Sequence, residues 1–472
     1  MAAQPEEIPA LDGDISARLT NYAAAFDSES IPSEVLERAK YLMLDSLGIG
    51  IASNPYEFSQ RAFAGVKALD SGAGHSVVIG SSERFDLRNA ILMNGILVHG
   101  LDFDDTHAEG VIHATASLLP TVMGVAGAQQ ATGKQMLAAY ILGLELATRL
   151  GAVAKGGFHQ LGFHPTGLVG AFGCAMAAAS LMGADRDQYR DTLGLALSTA
   201  SGSLEFLEDG AWNKRMHPGW AGVAGVTSAT LALHGYRGTR CPIEGRFGLF
   251  NSYLGERWDF DLDLATRGLG DRWEVMAVSV KPMPACHFTH AAVDAAIRLH
   301  DRGLRTQDIE SIHVLVPNEV IKTVCEPLAA KRRPANSYEA QFSIPYLVAT
   351  ALLKGRLTLE DIEEPALSDP EVLVLCERTT YAADPDSVFP KYFDGEVLVR
   401  TKDGRAWRER EAINRGASDR PLTAADISQK FHANATRCIS ADHAAEIEQA
   451  VLGLDRTSPE EMLALLGQSF NG

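Results

Sequence analysis

The densest polar stretch of the chain is His99-Gly100-Leu101-Asp102-Phe103-Asp104-Asp105-Thr106-His107, followed by His113. Three carboxylates within four residues repel one another unless cations, a metal or protons compensate. A solvated turn, or a helix start capped by aspartates, is the plainer explanation. Two histidines and a threonine crowd the same segment, however, and apolar sequence flanks it. Acid–base chemistry is the sharper reading. Asp104, Asp105 and Glu109 also spell the D-D-x-x-x-E pattern of terpenoid cyclases. That chemistry needs an aromatic-lined pocket for carbocations, and only 7% of the chain is aromatic, with 5 Trp.

Three further segments carry chemical side chains. Phe163-His164-Pro165-Thr166-Gly167 stands before an Ala/Gly-rich helix. Its histidine is either a cap or an anion contact, since a helix N-terminus favours negative charge. Trp212-Asn213-Lys214-Arg215-Met216-His217-Pro218-Gly219-Trp220 sets Lys214, Arg215 and His217 just ahead of another small-residue helix. Two cations there are expensive without an anion. Either the aspartate cluster or a carboxylate substrate supplies it, and Asp102 or Asp105 can hold Lys214 while a substrate binds. In Lys281-Pro282-Met283-Pro284-Ala285-Cys286-His287-Phe288-Thr289-His290 two prolines stiffen the turn. Lys281, His287 and His290 can then reach a cleft. The His287/His290 spacing is conceivable for a metal, but no familiar ligand pattern accompanies it, and none is expected. The chain has no G-x-S-x-G elbow, Walker A or G-x-G-x-x-G, so nothing points to a serine hydrolase, a nucleotide or a nicotinamide.

These side chains need elements to position them. The chain has 472 residues, is 46% hydrophobic and 22% charged, and carries a net charge of −18. That is ordinary globular composition with material for a large core. The acidic balance disfavours nucleic acid as a partner. Met1–Gly13 is polar and acidic with no signal-peptide pattern. The most hydrophobic run, 168–184, reads as a buried core helix and not a bilayer span. Six scattered cysteines without a C-x-x-C pair read as reduced thiols in a cytoplasmic protein.

Up to about residue 265 the pattern is helical. Apolar positions Val35, Ala39, Leu42, Met43 and Leu47 fit a helix over 33–51 behind Pro32, and 134–150 is similar. Segments 169–182, 193–203 and 221–234 are rich in Ala, Gly and Ser and predict buried, closely packed helices. Near 270 the period changes. Strands are expected at 275–280, 312–316, 397–401 and 405–408, with Asp403-Gly404 as a hairpin turn. Helices are expected at 289–302 and 337–354, and again in the tail at 423–432 and 440–454. The expected fold is mainly α: a large all-helical domain from 1–268 and 410–472, and a smaller α+β lid from 269–409.

The motifs HGLDFDDTH with His113, FHPTG, WNKRMHPGWAG, KPMPACHFTH and AQFSIPY (340–346) occur in that order along nearly the whole chain. In this the sequence resembles the MmgE/PrpD family of 2-methylcitrate dehydratases, cis-aconitate decarboxylases and an iminodisuccinate epimerase. The resemblance implies a helical domain with an α+β lid, a homodimer, and a cleft site that works without metal or organic cofactor. It implies a pocket of Asp102, Thr106, His113, His164, Lys214 and either His287 or His290. The shared problem is surplus negative charge on an aci-carboxylate, which fixed cations stabilise. His113 and Lys214 are expected to move protons, with Asp102 orienting and Thr106 binding a carboxylate. His164, Arg215, His217, Lys281 and the lid histidine are expected to face the anionic small-molecule polycarboxylate.

Val316-Pro317-Asn318-Glu319-Val320-Ile321 lacks the tyrosine found near this turn in decarboxylases, and Ala114 stands where many members have proline. The expected order is therefore a carbon–oxygen lyase dehydrating a 2-methylcitrate-like hydroxy acid, then a dicarboxylate epimerase, then a decarboxylase. A non-catalytic carboxylate-binding homologue is a further alternative.

Overall fold

The computed structural model describes residues 14–470, so the segment Met1–Gly13 lies outside the described residues. The chain is mainly helical and gathers around two hydrophobic cores. One core draws on residues between Leu19 and Val280 and again between Ile427 and Leu466. The other draws on Met283 to Val399, joined by Ile49, Phe58, Ile96, Leu101 and Phe206.

The first core follows from side-chain size. The Ser33–Ala52 helix buries Val35, Ala39, Leu42, Met43 and Leu47, the apolar face expected from their spacing. The Gly133–Val153 helix starts at a capping box of Thr132 and Gln135. It is long and apolar enough to cross a bilayer, yet its apolar stretch is wholly buried inside the protein. The Leu87–Val98, Pro165–Leu181 and Asn213–Leu233 helices cross at glycines. A Cβ on Gly95 would lie 2.2 Å from Gly219 Cα, and one on Gly225 2.6 Å from the Ala175 nitrogen. Backbones that close leave no room for larger residues, which is why these helices are rich in Ala and Gly. In the tail, the Ala424–Ala435 helix packs back on Ser33–Ala52.

The second core holds a four-stranded sheet in the order Thr379–Ala383, Ile309–Val316, Gly395–Thr401, Ala406–Glu411. The first pair is parallel and the others antiparallel. Gly404 turns the final hairpin at φ +84°, as Asp403-Gly404 predicts. The His290–Asp301 and Ile344–Lys354 helices pack beside it. The Thr379–Ala383 strand is unexpected from sequence. It is short, largely half-exposed and carries little apolar alternation.

Several expected elements differ. Residues 275–280 do not form a lid strand. A short 3-10 turn, Glu274–Ala277, precedes a two-residue strand, Val278–Ser279, and Val275, Val278 and Val280 sit in the first core. Buried Glu145 accepts the Glu274 and Val275 amides at 2.6 and 3.3 Å and pulls this segment onto the helices. The helix expected at 193–203 is instead Arg186–Ala196. Beyond it the chain extends to pair with the Phe163 turn, His164 N to Gly202 O at 3.0 Å and Leu204 N to Gly162 O at 2.9 Å. The helix expected at 221 begins at Asn213, so Lys214, Arg215 and His217 lie within its first turns and not ahead of it. The 337–354 helix breaks into Ser337–Ala340 and Ile344–Lys354, with Ser343 capping the second.

Candidate active site

The segment after the Leu87–Val98 helix separates its three carboxylates. Asp102 takes a left-handed φ of 49°, a conformation that aspartate tolerates better than most side chains. Its Oδ1 accepts Lys214 Nζ at 2.5 Å and Lys281 Nζ at 3.2 Å. Burial would raise this carboxyl, but the two ammonium groups overrule it and hold it well below the usual carboxylate range. Asp104 turns to His99, with Oδ2 2.7 Å from Nδ1. Burial opposes its ionisation, and the His99 and His113 rings hold it low. Asp105 faces the first core, where it takes the Thr115 hydroxyl, itself 2.6 Å from Tyr140 OH. Burial, with Asp104 and Asp45 nearby, pushes Asp105 up to about 7. Mutual repulsion is thus relieved in three ways, by lysines, by a histidine and by a retained proton.

The same segment fixes His113. Thr106–His107 pairs with Val278–Ser279, and the His113 amide donates to Thr166 Oγ1 at 3.0 Å. The ring Nδ1 lies 2.7 Å from the Asp105 carbonyl, which can only accept. Nδ1 therefore carries the proton, and Nε2 is left as a lone pair. Burial holds the ring neutral, with its pKa down at about 3. His164 caps the Pro165–Leu181 helix entrance and shares a proton with His217, Nδ1 to Nδ1 at 3.0 Å. Burial, with His217 beside it, holds His164 well below the usual imidazole range. Its Nε2 is buried with no protein partner. A buried polar atom left open in this way suits an incoming ligand.

Thr106, His113, His164, Lys214 and His287 line one narrow cavity between the two cores. The choice between lid histidines falls to His287. Its Nε2 lies 2.9 Å from the Asn414 amide nitrogen, which can only donate, so the proton sits on the unpartnered Nδ1. His290 does not line the cavity, because its Nε2 is tied to the Ala285 carbonyl at 3.1 Å.

Three other expected contacts also stand behind the cavity. Lys281 is wholly buried and spends its donors on Asp102, carbonyl and carboxylate alike. Arg215 is stacked between the Phe58 and Tyr338 rings, 4.1 and 4.3 Å from their centroids, and donates to the Gly100 carbonyl at 2.7 Å. His217 lies behind His164. The pocket is therefore less cationic than the sequence suggests: Lys214 and Lys281 are matched by Asp102 and Asp104. The terpenoid pattern also fails, since Asp104 and Asp105 turn apart and Glu109 reaches out to Arg272 at 3.7 Å.

Sequence reasoning passed over His99 and Phe342 as site residues, although each lies in one of the ordered motifs, and it had no signal for His159 or Thr323; His159, Thr323 and Phe342 also line the cavity. Thr323 follows the Val316-Pro317-Asn318 turn, in the stretch where the sequence carries no tyrosine. Ring nitrogens or carboxylate oxygens of His99, Asp102, Asp104 and His113, and of His99, His113 and His164, lie within 4.8 Å of one another. That spacing would suit a cation, while the ammonium groups of Lys214 and Lys281 nearby oppose one.

A helical body and a smaller α+β body thus enclose a cavity lined by histidines, a lysine and a threonine. The chain belongs to the MmgE/PrpD family: residues 17–261 match its N-terminal domain and residues 283–456 its C-terminal domain. It is 26% identical to a cis-aconitate decarboxylase-like protein of Aspergillus oryzae, over 96% of this chain and 98% of that one. It is 28% identical to the cis-aconitate decarboxylase of Homo sapiens, over 90% and 88% of the two chains. The 2-methylcitrate dehydratase of Escherichia coli is 25% identical, over 84% and 90%.

Proposed function

We propose that this protein is a lyase that labilises a substituent next to a carboxylate of a small organic acid, by dehydration or by decarboxylation. The observation that carries the reading is the His113 tautomer: Nδ1–H given to the Asp105 carbonyl, Nε2 free in the cavity that Lys214 lines. In a dehydration, His113 Nε2 removes the proton on the carbon next to the carboxylate. Thr106 and His287 Nδ1–H hydrogen-bond the carboxylate oxygens that receive the electron pair, and the Lys214 ammonium stabilises the departing hydroxyl and protonates it so that it leaves as water. In a decarboxylation, carbon dioxide leaves and the electron pair is held in the same way. Lys214 then returns a proton to carbon.

Relatives of both kinds match at similar identity, so the missing tyrosine does not rank decarboxylation below dehydration. Incubation with 2-methylcitrate, citrate and cis-aconitate in deuterated water, followed by NMR, tests the reading. A new alkene with loss of water, or carbon dioxide release with one deuterium gained, supports it. Turnover of none of them, with no exchange at any C–H, overturns it. We also propose a cytoplasmic homodimer, on the family resemblance and the six unpaired thiols; light scattering and fractionation of cell extracts test the two parts.

A further inference from the structure

The three carboxylates of the 102–105 segment differ in how their charge is met. Asp102 is matched by two ammonium groups, Lys214 at 2.5 Å and Lys281 at 3.2 Å. Asp105 takes the Thr115 hydroxyl, and burial pushes it up to about 7. Asp104 is fully enclosed and held below the usual carboxylate range. Its ion-pair partners among the described residues are two imidazoles, with His99 Nδ1 2.7 Å and His113 Nδ1 3.7 Å from Oδ2.

His99 orients Asp104 without cancelling its charge. The ring's Nε2 is buried with no hydrogen-bond partner. A second proton there would be an enclosed N–H without an acceptor, so the ring donates from Nδ1 as a neutral imidazole. A lysine in its place would neutralise the carboxylate, as happens at Asp102. Packing holds this donor still: the ring stacks on His164 at 5.7 Å and 24° and lies 4.9 Å from His113. The result is a fixed negative charge beside the ring that takes the substrate proton.

That ring needs one. When Nε2 removes a proton from the carbon next to the carboxylate, the C–H electron pair moves onto the carboxylate oxygens. His113 becomes an imidazolium with a proton on each nitrogen, and its Nδ1–H stays with the Asp105 carbonyl. Burial opposes the new charge, as do Lys281, Lys214 and His99, and Asp104 is the largest influence in its favour. It acts across 3.7 Å of enclosed space, where water screens little. On the reading of His113 as the base, we infer that Asp104 is its counter-ion: a positioning residue, oriented by His99 and set behind the cavity lining, that stabilises the imidazolium as it forms.

Asp104→Asn tests this. The amide oxygen still accepts the His99 proton, so the variant removes the charge and keeps the contact. With whichever of 2-methylcitrate, citrate and cis-aconitate the protein converts, kcat is expected to fall about 10²-fold or more, with KM within about three-fold of the parent. Because Asp104 acts through His113, the double variant with His113→Gln is expected to be no slower than His113→Gln alone. A merely structural role would make the two losses multiply. Turnover of Asp104→Asn within about three-fold of the parent, multiplying losses, or a change confined to KM overturns the inference. If the variant does not fold, neutron diffraction from the deuterium-exchanged parent decides without it: Asp104 must carry no deuteron, and His99 one, on Nδ1. A deuteron on Asp104, or on both His99 nitrogens, overturns the inference. Normal turnover in His113→Gln, or conversion of none of the acids by the parent, ends the reading of His113 as the base and the counter-ion with it. An unaffected Asp104→Asn beside an inactive His113→Gln ends the counter-ion alone.

Discussion

Asp102 and Lys214 stand 112 residues apart in the chain and meet at 2.5 Å, while Lys281 approaches the same carboxylate oxygen at 3.2 Å. The two lysines differ in what they face. Lys214 lines the cavity, and Lys281 is wholly enclosed. Lys214→Ala is therefore expected to fold, since Lys281 still neutralises Asp102, and to lose about 10³-fold or more in turnover. Lys281→Ala removes the donor to the Asp102 carbonyl and empties a wholly enclosed site, and is expected to cost about 3–5 kcal/mol of stability. Urea denaturation beside steady-state rates separates the two. Equal destabilisation by both changes would remove the distinction.

His113 is expected to act through Nε2 alone. His113→Gln keeps a side-chain N–H that can reach the Asp105 carbonyl but supplies no base. It should stay folded and lose about 10²- to 10⁴-fold in turnover, with solvent deuterium uptake lost in parallel. Exchange persisting at the normal rate would move the base elsewhere.

How far the sequence led depends on which property of a residue it reveals. Helices 33–52 and 133–153 and the Asp403-Gly404 turn were legible, because period and turn chemistry are local properties; the grouping of the 99–113 motif with His164 and Lys214 came instead from the resemblance to the family. Which cation faces the ligand was not. Lys214, Arg215 and Lys281 are alike in sequence, and only long-range packing sends Arg215 between Phe58 and Tyr338 and Lys281 behind Asp102. Residues 275–280 read as a strand for the same reason. Their alternation is real, but the deciding contact is Glu145, which lies 129 residues before Glu274.

Asp105 carries a testable cost. Its pKa of about 7 lies above the value of about 3.9 in an unfolded chain. The folded form therefore holds the proton more tightly, and the associated stability is full below the unfolded value and is lost as pH rises toward 7. Asp105→Asn removes the titration while keeping an acceptor for Thr115. Relative to the parent, it is expected to gain about 2–3 kcal/mol between pH 5 and pH 8, read from urea midpoints at the two pH values. A difference independent of pH would mean that Asp105 is ionised in the fold.

The buried histidines predict the opposite trend for the whole protein. Burial lowers His113 and His290 to about 3 and His159 and His217 to about 4, and it takes His164 and His287 down as well. An imidazole depressed in the fold contributes stability that is present above its unfolded value of about 6.5 and is lost as pH falls toward the folded value. Six such rings act in the same direction. The thermal midpoint is therefore expected to fall steeply below about pH 6.5, by more than protonation of Asp105 restores. Because His113 stays neutral while the protein is folded, kcat/KM should hold down to the pH at which unfolding begins and then fall with it. Circular dichroism melts and rates taken at the same pH values check this. A single titration near pH 6.5 in kcat/KM, with the fold intact, would show instead that the catalytic imidazole is open to solvent.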